Sequence, residues 1–131
     1  MRAITVKQPW AYSIFHGGKD VENRTQNLVA SLPIELAIHV SKTVDSDAKF
    51  PRGFTHLRDL PEASDKGERG KIIGVVTLVA IAEAHESIWY QNGRYAYVFE
   101  NPRLLKTPLE ARGFQSHWEV PAETLKKFKF Q

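Results

Sequence analysis

Residues 71–84 constrain the fold more than any other part of the chain. Ile72, Ile73, Val75, Val76, Leu78, Val79 and Ile81 fall within them, and β-branched side chains at that density suit a pleated sheet better than a helix. Apolar residues occupy both alternating sets of positions, so neither face of this strand tolerates water. It is therefore expected to be a long central strand, covered on both sides. Gly74 lies inside it, where the missing Cβ allows the bend that closing a sheet into a barrel demands.

Other segments supply its neighbours. Residues 2–6 alternate polar and apolar like a first strand. Residues 33–40 place Ile34, Leu36, Ile38 and Val40 on one face and Glu35, Ala37 and His39 on the other. Residues 95–100 set Tyr95, Tyr97 and Phe99 against Ala96 and Val98, and Asn101-Pro102 is expected to break that strand. Residues 114–120 read as the last strand, before a short helix beginning near Pro121. After the first strand, Pro9 suits the first position of a helix whose buried stripe is Trp10, Ala11, Ile14 and Phe15, with Gly17 as a left-handed cap. A second short helix is expected over residues 43–50, capped by Thr43 and stopped by Pro51. Residues 60–70 read as an exposed loop. The fold class is α+β, a small mixed barrel with short flanking helices.

A chain of 131 residues with 42% hydrophobic content is sufficient for one core and one domain, residues 1–131. It contains no cysteine, which excludes disulfides, thiolate catalysis and cysteine-ligated metal centres. His16, His39, His56, His85 and His117 show no short ligand spacing, so no metal and no cofactor is expected. No apolar run is long enough to span a bilayer and none resembles a secretory leader, giving a cytoplasmic expectation with no membrane partner. The formal charge of +3 and pI near 9.2 are compatible with a phosphate-bearing partner.

Site chemistry concentrates in Gly17-Gly18-Lys19-Asp20-Val21-Glu22-Asn23-Arg24. In an extended segment Glu22 and Arg24 share a face and can pair. That pair is either a structural closure of the loop or part of a ligand site, and the glycines beside Lys19 favour the ligand site. Trp10 adjoins the loop, and Trp89-Tyr90 falls in a turn between strands, so either can offer a face to a base. Trp118 is core by alternation. Lys126, Lys127 and Lys129 interleave with Phe128 and Phe130, a pattern read as phenylalanines docked on the sheet with solvated lysines between them.

The order and spacing of Gln8-Pro9-Trp10-Ala11, Gly18-Lys19-x-x-Glu22-x-Arg24, Ile38-His39-Val40-Ser41-Lys42 and Gly74-Val75-Val76 resemble the ASCH domain family, whose β-barrel is related to PUA domains. The likeness runs from the first strand to the segment ending at Val120. It implies a cleft lined by the Gly-Lys-Glu-Arg loop, a wall at Trp10, and His39, Ser41 and Lys42 close by. The implied partner is RNA or a modified nucleoside, and the implied ligand-binding residues are Trp10, Gly18, Lys19, Glu22, Arg24, His39, Ser41 and Lys42.

Three activities fit those residues. As a binding module, Lys19 and Arg24 neutralise phosphate, Glu22 accepts from an exocyclic amine, and His39 or Trp10 frames the base. Some proteins resembling this family hydrolyse acylated cytidine with a Lys-x-x-Thr arrangement, but Glu22 stands where that threonine would be. Hydrolysis here would use water activated by Glu22, with Lys19 at the oxyanion, and Thr25 is a displaced hydroxyl beyond Arg24. The third activity is metal-independent RNA cleavage with His39, Glu22 and Lys19 as its catalytic groups.

Overall fold

In the computed structural model, residues 1–28 and 30–131 are described. The elements are β1 (Arg2–Gln8), α1 (Trp10–His16), β2 (Val21–Arg24), β3 (Ile34–Val44), α2 (Glu62–Asp65), β4 (Lys71–Ala82), β5 (Tyr95–Glu110), β6 (His117–Glu119) and α3 (Ala122–Leu125), with a 3₁₀ turn at Thr55–Arg58. They form one mixed sheet in the order β2-β5-β4-β3-β1-β6. β1 runs parallel to β3, and the other pairings are antiparallel.

The apolar strand of residues 71–82 lies between β3 and β5, as its two-sided hydrophobicity demands. One face carries Ile4, Val6, Leu36, Ile38, Val40, Ile73, Val76 and Leu78, covered by Ile14 and Phe15 of α1. The opposite face buries Ala3, Ala37, Ile72 and Leu105 under Trp118, Val120, Leu125 and Phe128. Phe128 thus docks, but Phe130 does not: only its backbone bridges to Leu105, and its side chain stays exposed with Lys126, Lys127 and Lys129.

The sheet does not close into a barrel. Its edge strands β2 and β6 are only four and three residues long, and β6 pairs with Arg2, Ala3 and Ile4 alone. Too few backbone groups remain to zip the edges together. A side chain spans the gap: Arg24 on β2 donates from Nη1 to the Thr5 carbonyl and from Nη2 to the Ser116 carbonyl, each at 3.1 Å.

Five local expectations change. Of residues 114–120 only His117–Glu119 form a strand. Residues 43–50 are not a helix: β3 continues to Val44, and Asp45 then turns the chain with its carboxylate accepting from the Asp47 N–H at 3.1 Å. Asn101-Pro102 does not end β5, which runs on to Glu110. Asn101 adopts φ 51, a left-handed conformation that asparagine tolerates, and the ladder shifts register around it. Pro9 precedes the first helical residue instead of occupying it, and Gly17 ends α1 at φ −117, the left-handed residue being Gly18 at φ 69. Residues 60–70 include the one-turn helix α2.

Gly74 admits a neighbour. A Cβ there would lie 2.6 Å from the Phe15 ring and 2.5 Å from the Arg103 carbonyl, so its absence lets α1 seat against the sheet.

Candidate functional site

Every residue of the Gly17–Arg24 segment has a distinct structural task. Gly17 accommodates Leu57, whose Cδ1 would stand 2.4 Å from an added Cβ. The positive φ of Gly18 turns the chain so that Lys19 points inward, and its side chain is 3% exposed. Asp20 accepts from Ser87 Oγ at 2.6 Å. Asn23 donates to the Trp89 carbonyl at 2.9 Å and accepts from the Gln91 N–H at 2.8 Å. These outward bonds staple the turn at residues 87–91 to β2. Alternation along β2 aims Glu22 and Arg24 the other way, beside Lys19.

The result is a line of charge. Lys19 Nζ donates to Glu22 Oε1 at 2.8 Å and to the Val21 carbonyl, and Glu22 Oε2 faces Arg24 Nη1 at 3.7 Å. Lys19 Nζ also lies 5.7 Å from the centre of the Trp10 ring, within cation–π range. The Trp10 indole is held by its own N–H, which donates to Asp45 Oδ2 at 2.8 Å, and by Phe50, with ring centres 5.0 Å apart. Trp89 meets it edge-on at 6.4 Å. Together these groups enclose a cleft of about 810 Å³, with the ion pair, Asn23 and Arg24 on its polar side and Trp10, Phe50, Ile88, Trp89 and Tyr90 on its apolar side.

His39, Ser41 and Lys42 are elsewhere. They line an adjoining groove of about 980 Å³ that shares Thr5, Lys7 and Arg24 with the cleft. His39 is 3% exposed, with Nε2 2.7 Å from the Ala111 carbonyl and Nδ1 3.1 Å from Thr5 Oγ1. The carbonyl can only accept, so Nε2 carries the proton and Nδ1 accepts from the Thr5 hydroxyl. Thr5 Oγ1 in turn accepts from the Trp118 indole N–H at 3.3 Å. Burial lowers the His39 pKa below the ordinary imidazole value; the Ala111 and Gly70 carbonyls raise it and Lys42 lowers it further. This histidine anchors residues 111–113 to the sheet in its neutral form.

The ring of Trp118 packs against His39 at 5.4 Å and is buried, as alternation indicates. Gly18 lines neither cavity. Thr25 lines a smaller depression with Gln26, Tyr97 and Ser116, away from Lys19 and Glu22. Among the described residues, no three His, Asp or Glu side chains are grouped to hold a metal ion, and no helix is long and apolar enough to cross a membrane.

Groups of the cleft that were not expected from sequence include Asp45, Phe50 and Lys7. Asp45 and Phe50 fall in the segment read as a helix. The Asp45-Ser46-Asp47 run carries a turn signal, since an aspartate side chain readily accepts from the backbone two residues on.

Sequence comparison finds no matching family model and no matching curated protein. Structure comparison is different. The crystal structure of ASCH from Zymomonas mobilis matches 96% of this chain and 91% of its own length, with a TM-score of 0.56 at 16% identity. The chain has the ASCH fold. Two single-residue variants of the Zymomonas protein match over 96% of this chain and 92% and 94% of theirs, with TM-scores of 0.57 and 0.56 at 15% and 16% identity. At this identity the ASCH likeness concerns the path of the backbone; the chemistry of the site rests on this chain's own side chains.

Proposed function

We propose that this ASCH-fold protein binds RNA or a modified nucleobase, with the base received in the cleft between α1, β2 and the turn at residues 87–91. One observation carries the reading: the Lys19–Glu22–Arg24 line of charge lines the same cleft as the rings of Trp10, Phe50, Trp89 and Tyr90. A nucleobase has the matching construction, an apolar face and a polar edge. Trp10 supplies the face. Glu22 accepts from an exocyclic amine, and Arg24 and Lys7 meet phosphate at the mouth.

Titration of cytidine, N4-acetylcytidine and short single-stranded RNA, followed by tryptophan fluorescence, tests this reading. Saturable binding that weakens about fivefold or more in Trp10→Ala is expected, since a stacked base contributes about 1–3 kcal/mol. Absence of binding by every nucleoside and RNA probe refutes it.

A hydrolytic reading of the same cleft has one specific support, the 2.8 Å contact between Lys19 Nζ and Glu22 Oε1. Glu22 would take a proton from water as that water attacks the acyl carbon, Lys19 would face the developing oxyanion, and Glu22 would return the proton to N4 as the C–N bond breaks, releasing acetate and cytidine. Acetate release from N4-acetylcytidine, abolished in Glu22→Gln, is its test. RNA cleavage by His39, Glu22 and Lys19 has weaker support, because His39 faces the other cavity with both ring nitrogens bonded.

A further inference from the structure

The groove beside the cleft has a charge pattern of its own. Lys7, Arg24, Lys42, Arg69 and Arg112 line it against a single carboxylate, Glu110. Arg69 is paired with Asp65 at 3.1 Å, and Arg24 is bonded to two carbonyls. Among the described residues, Lys7, Lys42 and Arg112 have no carboxylate partner. An excess of exposed cations around one groove favours a bound anion there.

Exposed apolar groups mark the same two cavities. The large hydrophobic side chains most exposed among the described residues are Ile88, at 61%, and Phe114, at 50%. Ile88 lines the cleft and Phe114 lines the groove. The Arg112 guanidinium lies over one face of the Phe114 ring, 5.1 Å from its centre, so a cation and an exposed aromatic ring meet at one point of the groove, the pair that a nucleotide with its phosphate requires. Each cavity lies within the ~300–1,000 Å³ that suits a single drug-sized ligand, and both are lined by Thr5, Lys7 and Arg24.

We infer that cleft and groove form one track for single-stranded RNA. One base enters the cleft against Trp10; the adjoining phosphates pass Lys7 and Arg24 toward Lys42 and Arg112, and a neighbouring base stacks on Phe114. This inference rests on the base-binding reading of the cleft and adds the groove to it. A duplex does not fit the track, because its base faces are covered by stacking. Ser41, Gln115 and Ser116 line the groove as hydrogen-bonding partners for ribose hydroxyls.

The test compares a nucleoside, cytidine or N4-acetylcytidine, with a single-stranded RNA hexamer containing it, the hexamer's duplex and its DNA equivalent. With about three phosphates neutralised and a slope of about −0.7 per phosphate, hexamer affinity should fall about 20-fold between roughly 50 and 200 mM salt, while nucleoside affinity barely changes. Arg112→Gln/Phe114→Ala alters two exposed side chains and gives up one edge contact with Trp118, and an unchanged urea-unfolding transition verifies its fold. This variant should weaken the hexamer by about tenfold or more, reduce its salt response to about sevenfold, and leave the nucleoside unaffected. Nucleoside binding with a hexamer that is no tighter, or that ignores this double variant, overturns the track and leaves the cleft reading intact. Equal affinity for duplex or for DNA overturns the assignment to single-stranded RNA. Hexamer binding without any nucleoside binding overturns the joined track, because a base seated against Trp10 is held as a free nucleoside too; absence of binding by every probe refutes the cleft reading itself.

Discussion

Replacing Glu22 with glutamine probes the floor of the cleft, and its cost can be worked from the geometry. At 2.8 Å and an effective dielectric near 20, the attraction between Lys19 and Glu22 is about 6 kcal/mol before desolvation is subtracted. Desolvation of two charges offsets most of that sum, so the intact pair contributes little net stability. Breaking it is another matter. Lys19 is 4% exposed and Glu22 is its only carboxylate partner among the described residues, so Glu22→Gln strands a buried ammonium. Loss of one partner from a buried pair costs about 3–5 kcal/mol, and the opening of the cleft to water places this case near 3. For a chain of this length that corresponds to a fall of roughly 10 °C in Tm. Lys19→Met is milder, about 1–2 kcal/mol, because Arg24 remains 3.7 Å from the Glu22 carboxylate. The double variant leaves no buried ammonium, and Arg24 keeps its bonds to two carbonyls, so it should lose much less than the sum of the single losses, a coupling of about 2–3 kcal/mol. Urea unfolding of the four proteins, followed by tryptophan fluorescence, measures all three values. Additivity within about 0.5 kcal/mol would refute the reasoning, since it would mean the two groups are separately solvated.

Two further predictions concern the groove wall. In Gly113→Ala the new methyl would lie 2.6 Å from His39 Cε1 and 2.7 Å from Thr5 Oγ1. Both groups are held by further hydrogen bonds, so the variant should lose about 1–3 kcal/mol in urea unfolding; a midpoint equal to wild type would show that residues 111–113 move freely. His39 has a pKa lowered chiefly by burial, so the unfolded chain binds its proton first. Its contribution to stability is complete above about pH 6.5 and is lost as pH falls below that value, by at most about 1.4 kcal/mol per pH unit. His39→Gln should flatten that slope; His16, also lowered by burial, and Glu68, raised by burial, are common to both proteins and cancel in the comparison. Parallel stability profiles between pH values of about 7.5 and 5 would contradict the assignment.

The sequence by itself determined the central strand, because a run of β-branched residues apolar on both faces has no stable place at a wet edge. It also determined which residues of β2 share a face, since alternation follows from strand geometry alone. The Glu22–Arg24 contact was legible for that reason, as were the buried Trp118 and the docked Phe128. Only the tertiary structure decided how far β3 and β5 run. β3 runs on to Val44 because β1 pairs with it there, and β5 outlasts Asn101-Pro102 because pairing with β4 on both sides of that dipeptide satisfies its backbone groups. It also decided that the sheet stays open, with Arg24 across the gap where short edge strands leave carbonyls unpaired. His39 shows the limit most clearly. Its position in the alternation of β3 was correct, but whether it met ligand or protein depended on Thr5, Ala111 and Trp118. Their distances from it in sequence are 34, 72 and 79 residues, and no local pattern encodes a contact of that range.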